Sequence, residues 1–269
     1  MRRLSPIFDE LHLQLTTAIA ACRDRVRPEA VHVLRTTTRR LEAVLVCMEE
    51  EHPEAVKLSA AIGTVARQIK RIRKAAGLVR DIDVNRKLAN KITEESANRA
   101  ERSKLEAIHK DNEELQCKLR RLRRKLARKL KNLLGTAEVD LHRKLQRVKR
   151  RASKLTDQKL APLEIAQRWT LAASVKNRRG SEADIHEIRK QTKIARYVAE
   201  LQSDSKPAVA LARRLQRVQD AIGYWHDLDL LGDVAAKQLG AEALLTQTIK
   251  QRGEAALRNA QEFLKLLTN

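Results

Sequence analysis

The chain has 269 residues, with 56 Lys plus Arg against 34 Asp plus Glu and a formal charge of +22 at neutral pH. At 42% hydrophobic residues it is long and apolar enough to bury a core, which excludes a disordered chain. Eight Gly, five Pro and only two each of Phe, Trp and Tyr, set among many Leu, Ala, Glu, Lys and Arg, favour helix and argue against a sandwich or barrel.

Apolar residues recur at helical spacing almost throughout. In chain order they predict helices over 6–23, 28–51, 54–79, 81–99, 101–134, 138–155, 159–177, 182–203, 206–223, 226–239 and 241–267. Pro28, Pro53 and Pro207 each sit near a predicted first turn, where the missing N–H costs little. Gly180-Ser181, with Asp184 three residues on, is close to a capping box. Leu115, Leu119, Leu122, Leu126, Leu130 and Leu133 form a narrow apolar seam. No alternating strand pattern occurs, so the expected fold class is all-α.

Cys22, Cys47 and Cys117 are scattered and odd in number, which is neither a disulfide framework nor a zinc spacing. The basic start, Met1-Arg-Arg, precedes no apolar stretch long enough for a signal peptide, and no run approaches the roughly 20 residues of a membrane span. The expected setting is soluble, reducing and cytoplasmic. A charge this large repels itself and is answered by an anion: nucleic acid, an anionic membrane surface or an inorganic phosphate polymer. Readers of single-stranded nucleic acid stack bases on aromatic rings, which are scarce here, whereas a reader of phosphate needs none.

Two elements occur twice. Val31-His-Val-Leu-Arg-Thr-Thr-Thr-Arg39 matches Ile185-His-Glu-Ile-Arg-Lys-Gln-Thr-Lys193, pairing His32 with His186, Arg35 with Arg189 and Arg39 with Lys193. Ile69 to Asp83 likewise matches Leu215 to Asp229, pairing Gly77 with Gly223, Asp81 with Asp227 and Asp83 with Asp229. The order is the same both times, so the natural reading is two helical halves, 1–155 and 156–269, related by duplication. At about 100° per residue, His32, Arg35, Thr36 and Arg39 share one arc, opposite Leu34, Leu41, Leu45 and Met48. In the second copy His186, Arg189, Lys190 and Lys193 oppose Ile188, Ala195 and Ala199. Each basic stripe is free to face something other than its own core.

The doubled set H-x-x-R-x-x-x-[RK] and G-x-x-x-D-x-D resembles the conserved-histidine α-helical domain, CHAD, over nearly the whole chain. That resemblance implies a single domain over 1–269, built as two four-helix bundles in pseudo-twofold arrangement around a basic central groove. It also implies binding of long-chain inorganic polyphosphate without catalysis, and docking at polyphosphate granules. On it, the binding residues expected first are His32, Arg35, Arg39, Arg40, His186, Arg189 and Lys193. Lys70, Arg73, Lys74, Arg196 and Arg217 follow, with Arg123, Arg124 and Arg147 added from two acid-free basic runs, 118–131 and 143–154. The second copy is poorer in charge: Ile194 stands opposite Arg40, and Gln216 and Gln219 opposite Lys70 and Arg73. Arg offers a planar fork to phosphate oxygens, Lys a point charge and His a further donor.

Two alternatives compete: a basic RNA-binding protein associated with ribosomes or tRNA, and a metal-dependent polyphosphatase. The Asp81/Asp83 and Asp227/Asp229 pairs would serve the latter, but they read as helix N-caps after a Gly break or as partners of Arg. Gly77 and Gly223 read as turn or close-packing glycines, and His12, His52, His109 and His142 as surface residues. No nucleophile with an adjacent base, zinc set or E-x-E-x-K strand is present, so no catalytic residue, metal or cofactor is expected.

Overall fold

In the structure, a computed structural model describing residues 4–96, 101–155, 162–177 and 182–265, all regular structure is helical. Eight helices follow in order: α1 (Leu4–Asp24), α2 (Pro28–Glu51), α3 (Val56–Ser96), α4 (Arg102–Ala152), α5 (Pro162–Asn177), α6 (Glu182–Glu200), α7 (Lys206–Leu239) and α8 (Leu244–Leu264). Among the described residues there is no strand, and no helix is long and apolar enough to cross a membrane. The capping box expected at Gly180-Ser181 lies outside the described residues.

Three breaks expected from sequence are absent. The predicted pairs 54–79/81–99, 101–134/138–155 and 206–223/226–239 are the single helices α3, α4 and α7. An isolated helical Gly costs only about 1 kcal/mol relative to Ala, so packing carries the helix through Gly77, Gly135 and Gly223. Gly240 does end a helix. It has φ +98°, a conformation that glycine adopts without strain, and its N–H bonds to the Ala236 carbonyl at 3.0 Å. Asp81, Asp83, Asp227 and Asp229 therefore lie inside helices and cap nothing.

The chain divides into two compact units. The first takes Met1–Gly77 and Lys129–Arg217, the second Leu78–Arg128 and Val218–Asn269. Helices α3, α4 and α7 each contribute to both, so each half of the sequence repeat supplies residues to both units.

Within the first unit, Leu58, Ile62, Val65, Ile69, Ile72 and Ala76 of α3 recur alternately at four and three residues and are all buried. That 3.5-residue period is the seam of a left-handed helical coil. Helices α1 and α4 run antiparallel: Asp9 pairs with Lys149 at 2.8 Å, and near the other end Lys131 donates to the Asp24 carbonyl at 3.2 Å. Gln68 of α3 donates to the Ala137 carbonyl and accepts from Lys144, both at 2.9 Å. Helix α2 packs on α1, α5 and α6, and α5 on α6. Glu50 accepts from Trp169 Nε1 at 3.2 Å and pairs with Arg168, joining α2 to α5.

In the second unit, α3 and α4 are joined by a polar ladder. Arg86 Nε donates to Gln116 at 2.9 Å, Gln116 donates to Asn90 at 2.8 Å, and Asp83 is paired with Arg123. The Arg123 fork is bidentate, with Nε–Oδ1 at 2.5 Å and Nη2–Oδ2 at 3.2 Å, on a carboxylate only 4% exposed. Ion pairing thus accounts for Asp83 where the capping reading fails. The start of α8 carries no side-chain cap of its own; Asp111 of α4 instead accepts from the Leu245 N–H at 3.1 Å.

The leucine seam of α4 is buried at Leu115, Leu119 and Leu130, but Leu122 is exposed. His109 and His142 are exposed and His52 half-buried, whereas His12 is buried, against expectation. It faces α4, where His142 is its neighbour.

Removing one partner of a buried ion pair strands the other, so Asp83→Ala should cost about 3 kcal/mol and lower Tm by several degrees in a thermal melt. Burial, with the neighbouring His142 and Lys149, lowers the His12 pKa from its ordinary 6.5, and Asp9 only partly opposes this. The folded chain then binds fewer protons than the unfolded one as pH falls through about 6.5, and loses stability. Tm should decrease between about pH 7.5 and about pH 5.5, and His12→Gln should flatten that dependence.

Candidate functional site

The sequence placed its two basic stripes on α2 and α6, and the first unit packs these helices against one another. The opposite faces are buried as expected: Leu34, Leu41, Leu45 and Met48 on α2, and Ile188, Ala195 and Ala199 on α6. The repeat threonines are buried too. Thr38 Oγ1 donates to the Arg35 carbonyl at 2.8 Å and Thr192 Oγ1 to the Ile188 carbonyl at 2.9 Å, so both hydroxyls are satisfied within their own helices.

On the other face of α2, Arg35, Arg39 and Glu42 fall within one arc directed at α3. Arg73 of α3 makes a bidentate pair with Glu42 at 2.5 and 2.8 Å. Arg39 interacts with the same carboxylate and with the hydroxyl of Tyr197 on α6; burial lowers its pKa, Arg73 adds to that, and Tyr197 and Glu42 oppose it. The carboxylate is thus paired to Arg73, and Arg39, which feels it only from farther off, is charged at a cost. Tyr197 is itself buried, and the Arg196 guanidinium stacks on its ring, 4.4 Å from the centroid. Arg196 also pairs along its helix with Glu200 at 3.4 Å.

Arg35 reaches across α3. Its Nη1 lies 3.5 Å from the Arg73 carbonyl oxygen, and a Cβ built on Gly77 would stand 2.5 Å from that same nitrogen. The glycine of the second motif is therefore the seat of the arginine of the first, which is the close-packing reading of Gly77. Gly223 shows no such contact within 4 Å among the described residues.

Of the residues expected from sequence, Arg35, Arg39 and Arg73 meet at the α2–α3 contact, and Arg196 joins them through Tyr197. His32 is exposed, while His186, Arg189 and Lys193 are half-buried on α6. Arg40, Lys70, Lys74, Arg147 and Arg217 are exposed in the first unit, and Lys70 and Lys74 flank Arg73 on one face of α3. Arg123 and Arg124 belong to the second unit, where Arg123 holds Asp83 and Arg124 is exposed. Sequence reasoning missed Glu42 and Tyr197. Glu42 carried a signal, being the acid one turn beyond Arg39; Tyr197 carried only its rarity.

The family model for the CHAD domain matches residues 7–236, and the chain belongs to that family. Among solved structures it is similar to the CHAD domain from the plant Ricinus communis, at 19% identity and TM-score 0.70, covering 98% of this chain and 90% of that one. It is equally similar to PptA from Streptomyces chartreusis, at 16% identity and TM-score 0.70, with 97% of each chain covered. At these identities the likeness is one of fold. No curated protein matches the chain in sequence.

Gly77→Ala separates packing from placement. The atom in the way is the end of a flexible side chain, and Ala favours helix by up to about 1 kcal/mol. Tm should hold or rise, while the crystal structure of the variant should show the Arg35 guanidinium moved off α3.

Proposed function

We propose that this protein binds long-chain inorganic polyphosphate along the basic face that α2, α3 and α6 form in the first unit, without turning it over. The observation that supports this most is Arg39, a largely buried guanidinium near Arg73 that is charged at a cost and whose charge Glu42, already paired to Arg73, only partly answers. A polyanion arriving there supplies the missing countercharge. Arg40, Lys70 and Lys74 are exposed beside the cluster and extend it along the surface, as a repeating ligand requires. The scarcity of rings suits a chain of phosphates, which offers no bases to stack. The same reading makes the protein a docking module for polyphosphate granules.

The test is a titration with long-chain polyphosphate at two salt concentrations. By analogy with nucleic acids, affinity falls steeply with salt, by close to one power of concentration per phosphate neutralised. The variant carrying Arg40→Gln, Lys70→Gln and Lys74→Gln keeps its core and should bind about tenfold more weakly, with a salt slope shallower by about 2 to 3. Unchanged affinity would remove the face from the binding site. Ready displacement of polyphosphate by RNA would favour the nucleic-acid reading, and metal-dependent release of phosphate would overturn the absence of catalysis.

A further inference from the structure

Away from the basic cluster, α1 and α4 bring two imidazoles together in the first unit. His12 Nε2 and His142 Nδ1 lie 3.1 Å apart, with ring centroids 4.8 Å apart and planes tilted by 43°. His12 is buried and His142 exposed. Both line a cavity of about 240 Å³ together with Thr16, Glu138 and five aliphatic side chains. A hydrogen bond between two neutral rings accounts for the contact in the absence of an ion. Each histidine has a carboxylate one turn away on its own helix, Asp9-x-x-His12 and Glu138-x-x-x-His142, and residues at those spacings share a helix face. Both carboxylates are engaged in solvent-accessible pairs, Asp9 with Lys149 at 2.8 Å and Glu138 with Arg23. Such pairs contribute little and give way easily.

We propose that His12 and His142, with Glu138 as third ligand, form a binding site for a divalent transition-metal ion of the Zn²⁺ type. The spacing of the two histidines suits it, and Glu138, farther off on Arg23, completes the set by leaving that pair. With metal–nitrogen bonds of about 2.0–2.1 Å, two ligating nitrogens stand about 2.9 Å apart at a right angle and about 3.3 Å apart in a tetrahedron. The observed 3.1 Å lies between these. The ion takes the place of the shared proton: with His12 as its Nδ1–H tautomer and His142 as its Nε2–H tautomer, both facing nitrogens present lone pairs and no net proton is released. Imidazole with one carboxylate selects Zn²⁺, Ni²⁺ or Cu²⁺ over the oxygen-seeking Mg²⁺ and Ca²⁺. The cavity leaves room for a water as the remaining ligand. Arg23 is a built-in competitor, because it holds Glu138 away from the pair.

The site is independent of the polyphosphate reading and is tested on the full chain. After chelator treatment, the protein is titrated with ZnCl₂ by calorimetry and by thermal melting, and with Co²⁺ by visible absorption. Excess Zn²⁺ should raise Tm through its preference for the folded chain. His142→Gln changes an exposed residue, so the metal-free Tm should hold while Zn²⁺ affinity falls by about tenfold or more. Glu138→Gln should also weaken binding. Arg23→Gln should tighten it several-fold, an effect that a merely structural histidine pair would not produce. Wild-type protein whose Tm ignores Zn²⁺, or a His142→Gln variant that binds Zn²⁺ as wild type does, would overturn the proposal.

Discussion

Glu42 governs the candidate site. It sits where α2 meets α3 and answers Arg73 through both oxygens, which leaves the nearby, largely buried Arg39 only partly answered. A guanidinium fork bound bidentately gains geometry as well as energy, so Arg73 is held in one orientation. Arg35 then reaches across α3 where Gly77 lacks a side chain. Two arginines from two helices are thereby set in order, Arg73 by one acid and Arg35 by one glycine. Tyr197 extends this arrangement to α6 by touching Arg39 with its hydroxyl and Arg196 with its ring.

The two copies of the repeat do not use their charges alike. The residue that corresponds to Glu42 in the second copy is Arg196, and the one that corresponds to Arg73 is Gln219. A pair that neutralises itself in the first copy is thus replaced by a cation whose acid, Glu200, lies on its own helix. The first copy builds its pair between two helices, whereas Arg196 in the second pairs within its own. Matching motifs carry over the helix face but not the electrostatics on it.

Most of the architecture was legible in the sequence. The buried faces of α2 and α6 follow from a period of 3.6, and family membership from the doubled motifs. The helix breaks did not, because a glycine in a helical pattern has the same identity whether it ends a helix, as Gly240 does, or seats an arginine, as Gly77 does. Only backbone direction and the neighbouring helix distinguish them. The Asp residues went the same way: Asp83 reads as a cap when a break is assumed before it, and as half of an ion pair once α3 is seen to run through. His12 was misjudged for a related reason, since its burial is set by α4, more than a hundred residues away. The partners of a site residue are set by contacts between helices, and one-dimensional spacing records only those within a helix.

Neither unit is a continuous stretch of chain. The first cannot be completed until Arg217 has been made, and the second draws on residues both before and after the first has closed. Loop-closure entropy must be overcome before such distant segments gain their contacts. A nascent chain that has finished α4 therefore holds a long, strongly basic helix while the helices that complete both units are still missing. During synthesis this protein passes through a stage in which most of its net positive charge is present and its fold is not, and anions in the cell meet that stage first.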